Sequence, residues 1–156
     1  MLYFAYGANL NLGNMKYRCP QAKPIMSFTL PNYRLVFKGV ADIEPSFGDS
    51  VEGVIWSITQ DCEDALDRFE GYPFLYGKDT FTVKTNGKFA RDFGKYVDIM
   101  FYKMNRQHYG PPSKGYFECL HQGYLDNDLD TSFLFDALDH SVQEHSPLKY
   151  NSKSWS

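Results

Sequence analysis

The sequence predicts an α+β fold in which a curved, mostly antiparallel sheet or barrel packs helices on one side. Two observations carry this. Strand-like segments dominate the front of the chain and helix-like segments the back, with few strand-helix-strand alternations. The 156 residues, 43% hydrophobic and 22% charged, suit one domain with one core. The expected domain spans residues 1–145, followed by a polar tail at 146–156.

Leu2 to Tyr6 is an apolar and aromatic run stopped by Gly7, a strand that starts almost at the first residue and is expected to be central. The segment from Ala8 to Met15 carries asparagines able to cap a helix, so a tight turn and a short helix should follow. Met26 to Leu30, Tyr33 to Lys38 and Val51 to Ile58 read as three antiparallel strands. Pro31-Asn32 and the Pro45 to Asp49 turn separate them.

Thr59 to Glu70 places Cys62, Ala65, Leu66 and Phe69 on one helical face, and Gly71 and Pro73 supply stop signals. Asp79 to Thr85 and Val97 to Met104 are two further strands, with Asn86-Gly87-Lys88 suited to a hairpin turn. Ser113 to Asp126 and Ser132 to Gln143 read as helices, the first capped by Ser113.

Several function classes are disfavoured. A net charge of -3 argues against an electrostatic grip on nucleic acid. Cys19, Cys62 and Cys119 form no CxxC pair, and the four histidines form no ligand pattern, so neither a disulfide scaffold nor a metal site is expected. No cofactor fingerprint, P-loop or GxSxG elbow occurs. The N-terminus lacks the features of a signal peptide, and no run approaches the roughly 18 apolar residues of a membrane span. A cytoplasmic protein acting on a small molecule is the expectation, with no membrane partner. Nothing in the sequence sets an oligomeric state.

Two segments could carry chemistry. Glu70 ends a helix and Asp67 lies one turn earlier, where the helix C-terminus disfavours negative charge and raises a carboxyl pKa. A glutamate so placed suits general acid-base work, and a solvated helix end paired with Arg68 or Lys78 is the plainer alternative. The second segment is Tyr6-Gly7-Ala8-Asn9-Leu10, a sharp strand-to-helix turn whose backbone N–H groups could hold a carboxylate or oxyanion. By itself it also suits an ordinary turn with an Asn cap.

The order and spacing of these segments resemble the γ-glutamylcyclotransferase and AIG2-like family. Tyr6 to Leu10 stands where that family has Y-G-S-N-L. The likeness continues through Met15, Arg18-Cys19-Pro20, Val54-Ile55-Trp56, Leu66 to Pro73, Tyr76, Pro112-Ser113, Tyr116 and Gly123, covering about residues 1–130. The resemblance implies a small mixed, mostly antiparallel β-barrel-like sheet with flanking helices, and intramolecular aminolysis of a γ-glutamyl compound, releasing 5-oxoproline and a free amine. It implies Glu70 as the catalytic glutamate, the turn of Tyr6, Gly7, Ala8, Asn9 and Leu10 as the glutamyl-holding loop, and Tyr76 and Tyr116 as pocket tyrosines. Ala8 departs from the family serine and removes one hydroxyl. Two rival readings are a scaffold that sequesters a small ligand and an enzyme that removes or transfers a γ-glutamyl group on a larger amine.

Overall fold

The computed structural model describes residues 1–144. The expected tail at 146–156 lies outside the described residues. Strand β1 (Leu2–Ala5) is buried along its whole length and occupies the middle of a five-stranded sheet of order β2-β3-β1-β5-β4. The early strand is therefore central, as its apolar run predicts. It pairs antiparallel with β3 (Ala41–Ser57) through Leu2↔Ser57 and parallel with β5 (Tyr96–Met104) through Leu2↔Ile99. The remaining pairs, β2 (Lys23–Phe37) with β3 and β4 (Tyr76–Lys84) with β5, are antiparallel.

The three strands expected between residues 26 and 58 are two long ones. Pro31-Asn32 does not end β2, because β2 lies at the sheet edge, where a residue without an N–H is tolerated. Asn32 adopts a left-handed conformation, and the register jumps from Pro31↔Ser50 to Tyr33↔Pro45. Residues 46–49 thus bulge opposite Asn32 instead of reversing the chain, and Asn32 Oδ1 accepts the Gly48 N–H at 3.1 Å. The reversal falls at residues 38–40, where Gly39 has φ of 82°.

The hydrogen-bonded ladder stays open at β2 and β4, and rings rather than backbone close it. Phe28 of β2 stacks on Phe81 of β4 with centroids 5.7 Å apart, and Phe4 of β1 meets both edge-on. The barrel-like curl is therefore a side-chain closure around one core that runs from Leu2 to Ala137.

The helices follow the local signals. A single 3-10 turn (Ala8–Leu10) leads into α1 (Leu12–Arg18), with Asn11 accepting the Asn14 N–H at 3.1 Å. Helix α2 (Gln60–Glu70) starts at Thr59, whose hydroxyl accepts from Cys62 N–H at 3.2 Å. It stops at Gly71, whose φ of 67° is the left-handed value that favours glycine. The expected tight turn at Asn86-Gly87-Lys88 is instead the start of α3 (Gly87–Phe93), after which Thr85 N–H and Lys95 C=O rejoin at 2.7 Å. Ser113 caps α4 (Lys114–Asp126), and α5 (Ser132–Glu144) packs on β2. Helix α4 presses on the first turn so closely that a Cβ at Gly123 would sit 2.6 Å from Leu10 Cβ.

Candidate active site

The end of β1, the 3-10 turn, the β2–β3 reversal, the end of α2, and single residues of β4, β5 and α4 enclose a cavity of about 280 Å³. Its wall contains Tyr6, Gly7, Ala8, Asn9, Glu70, Tyr76 and Tyr116, so residues from three distant parts of the sequence converge. Leu10 does not line it. Its side chain is fully buried against α4, because the turn directs Leu10 into the core while its neighbours face the cavity.

Among the described residues, Glu70 is the one charged side chain in the wall. Burial pushes its carboxyl up to about 7, and the positive charge of Arg18 opposes part of that shift. The direction agrees with the sequence reading, but the cause is desolvation by the cavity wall rather than the helix terminus. Among the described residues, none hydrogen-bonds or ion-pairs with the Glu70 carboxylate. Lys78, an expected partner, is instead bound to Glu63 at 2.7 Å and to Asp67 at 2.8 Å.

The turn is held from both sides. Leu10 N–H and Asn11 N–H close back onto the Gly7 and Ala8 carbonyls at 3.0 and 3.1 Å. A Cβ at Gly7 would lie 3.4 Å from Ala41 Cβ and 3.5 Å from the Tyr116 hydroxyl, so a side chain there would begin to fill the floor of the cavity. Asn9 is almost fully buried, and its side chain bridges two others. Nδ2 donates to the Tyr3 hydroxyl at 3.0 Å, and Oδ1 accepts from Arg18 Nη1 at 3.0 Å. The Arg18 guanidinium lies 3.4 Å above the Phe69 ring. Phe69, expected on the core face of α2, is half exposed and stands at the cavity wall beneath Arg18.

Tyr76 and Tyr116 grip one residue between them. The Tyr76 hydroxyl donates to Ala41 C=O at 2.6 Å, and the Tyr116 hydroxyl accepts from Ala41 N–H at 3.0 Å. Tyr6 donates to Tyr102 C=O at 2.6 Å. Tyr3 and Tyr102 also line the wall and were missed in the sequence. Strand alternation was the available signal, since it sends Tyr3 to the opposite face from Phe4, yet a tyrosine in an apolar strand looks like any core ring.

Among the described residues, no group of three or more His, Cys, Asp or Glu side chains could hold a metal ion, and no helix is long and apolar enough to cross a membrane. The three cysteines are free thiols.

A carboxylate that burial holds near neutrality in a tyrosine-lined cavity has the chemistry of one class of protein, the small acid-base enzymes, in which such a group can move a proton on a bound substrate. Residues 3–119 match the family described as "Gamma-glutamyl cyclotransferase, AIG2-like". The chain is 30% identical to human γ-glutamylcyclotransferase over 144 residues, covering 85% of this chain and 74% of the relative. The bovine protein of the same name is also 30% identical, with the same coverage. A solved γ-glutamyl cyclotransferase superposes with a TM-score of 0.70 at 26% identity, over 94% of this chain and 86% of that one. A human crystal structure described as an uncharacterized protein gives 0.69, also at 26% identity, over 93% and 86% of the two chains. The chain belongs to the γ-glutamyl cyclotransferase, AIG2-like family.

Proposed function

We propose that this protein cyclises a γ-glutamyl compound, releasing 5-oxoproline and a free amine, with Glu70 as the proton carrier. The observation that carries this reading is the unpaired Glu70 carboxyl, raised to about 7 and facing a cavity that also contains the Tyr6–Asn9 turn. The Glu70 carboxylate takes a proton from the substrate α-ammonium, and the freed amine attacks the γ-carbonyl carbon of the same molecule. The C–N bond to the leaving amine then breaks as Glu70 returns its proton to that nitrogen, and the second proton that the ring nitrogen must lose passes through the same carboxylate to the free amine, which departs as an ammonium. Ring closure needs the substrate chain folded, which is the entropic service of a narrow cavity. Backbone N–H groups of the Tyr6–Asn9 turn hold the α-carboxylate, and they do not depend on the hydroxyl that Ala8 lacks.

The leaving-amine side is apolar. Phe69 and Leu75, 42% and 40% exposed, form an apolar rim on either side of Glu70, Tyr72 and Phe74 are exposed in the adjoining turn, and among the described residues no Lys or Arg lines the cavity. Such a rim favours a neutral, apolar amine over one that carries its own carboxylate. The three free thiols fit a reducing compartment, and we place the protein in the cytoplasm.

The test is incubation with a panel of γ-glutamyl peptides and γ-glutamyl amines, with 5-oxoproline followed by mass spectrometry and Glu70→Gln as control. Release by the wild type and not by the variant is the expected result. Binding without release would favour the sequestering reading, and a transferred glutamyl mass on an acceptor would favour group transfer.

A further inference from the structure

Among the described residues, five tyrosines line the cavity, and their hydroxyl protons can be accounted for one at a time. Tyr6 donates to Tyr102 C=O, Tyr76 to Ala41 C=O, and Tyr102 to Asp67 Oδ1, each at 2.6 Å. Those three protons are committed to protein acceptors. Tyr116 and Tyr3 are on the receiving end instead, accepting from Ala41 N–H and from Asn9 Nδ2, both at 3.0 Å. A phenol carries one proton. Among the described residues, those of Tyr3 and Tyr116 meet no acceptor.

For Tyr3 the direction is fixed by chemistry. Arg18 can only donate, so the Asn9 atom 3.0 Å from Nη1 is the oxygen, whichever way an amide might be assigned. The Asn9 NH₂ must then face Tyr3, and the Tyr3 oxygen must accept. A part-buried guanidinium contact thus sets the polarity of a hydrogen-bond chain whose last proton, that of Tyr3, meets no acceptor among the described residues. The Tyr3 ring is itself almost fully buried and braced edge-on by Tyr102 at 5.9 Å, which holds the phenol oxygen in place at the cavity wall.

We propose that Tyr3 contacts the substrate, donating a hydrogen bond to the γ-carbonyl oxygen during cyclisation, and that Asn9 and Arg18 are positioning residues that aim it. This rests on the reaction proposed above. The γ-carbon carries three heteroatoms as the ring closes: the attacking nitrogen, the leaving nitrogen and the oxygen. Glu70 serves both nitrogens. The oxygen gains negative charge, and a neutral donor on the same wall stabilises it without transferring its proton. The α-carboxylate, already an anion, is kept from Glu70 by like charge and stays with the turn. Burial and the nearby Glu70 both push the Tyr3 hydroxyl pKa upward, which keeps it a donor throughout the working range.

Tyr3→Phe removes the hydroxyl and leaves the ring. With a γ-glutamyl amine that the wild type converts, kcat should fall about 10- to 100-fold while KM stays within about threefold, the signature of an interaction made in the transition state. Asn9→Asp supplies the second arm, because Asp still accepts from Arg18 but offers Tyr3 an acceptor, capturing the proton. It should lower kcat similarly in the wild type and add little in the Tyr3→Phe background. Unchanged kcat in Tyr3→Phe, or a loss confined to KM, overturns the assignment, as does full additivity of the two changes in folded proteins. If the wild type releases no 5-oxoproline from any substrate, the reaction itself falls. If it does and Tyr3→Phe matches it, only the role of Tyr3 falls.

Discussion

Asp67 and Glu70 stand three residues apart on α2 and have opposite surroundings. Asp67 accepts from the Tyr102 hydroxyl at 2.6 Å and from Lys78 at 2.8 Å, and Lys78 also binds Glu63 at 2.7 Å and lies 4.3 Å from the Tyr72 ring. Glu70 faces the cavity with no such partner among the described residues, and burial raises it to about 7. The contrast teaches that a carboxylate bound by a cation and a phenol is committed to structure, while one stripped of water and left unpaired is free to exchange a proton. A helix end alone does not separate the two, since both residues belong to its last turn.

The strongest way to break the comparison is Glu70→Gln, which keeps the shape and abolishes proton transfer. It should lower kcat by about 10²- to 10⁴-fold in the 5-oxoproline assay, with the fold intact by circular dichroism. If Glu70 acts as the base, kcat/KM should fall about tenfold for each pH unit below its pKa of about 7. Arg18 favours the ionised form, so Arg18→Met should move that limb to higher pH, whatever it does to the maximum rate.

Lys78 does not contribute to the Glu70 shift, which sharpens the comparison from the other side. Lys78→Met should cost roughly 1 to 2 kcal/mol of stability in a denaturant titration by leaving Asp67 and Glu63 without their shared cation, while the acidic limb stays in place. The smallest effect is expected from Ala8→Ser. Restoring the family hydroxyl at the cavity wall should change kcat/KM by no more than the roughly 0.5 to 1.5 kcal/mol of one hydrogen bond, read across the same substrate panel.

Much of this architecture is legible in the sequence. Helix α2 carries its own cap at Thr59 and its own stop at Gly71, and β1 carries an unbroken apolar run. The β2–β3 hairpin was harder to read. Pro31-Asn32 and Pro45 to Asp49 are real punctuation, but they mark opposite sides of one bulge, and only pairing across the sheet reveals that they meet. Phe69 misled because periodicity reports which face is apolar without saying whether that face meets the core or a cavity, and Leu10 because a motif match carries over a whole turn without saying which of its side chains face the cavity.

The sequence by itself determined the limits of α2, α4 and α5, the central strand and the spaced motifs that mark the family, because caps, stop signals and periodicity act between neighbours, whereas α3 stands where a hairpin turn was expected. Tertiary structure alone decided what Glu70 can do. Its raised pKa comes from surroundings contributed by β1, the turn, the β2–β3 reversal, β4, β5 and α4, and desolvation is a property of that enclosure rather than of any residue near it in the chain. The Arg18–Asn9–Tyr3 relay has the same origin, since the direction of a hydroxyl proton depends on which neighbours have already claimed the oxygen.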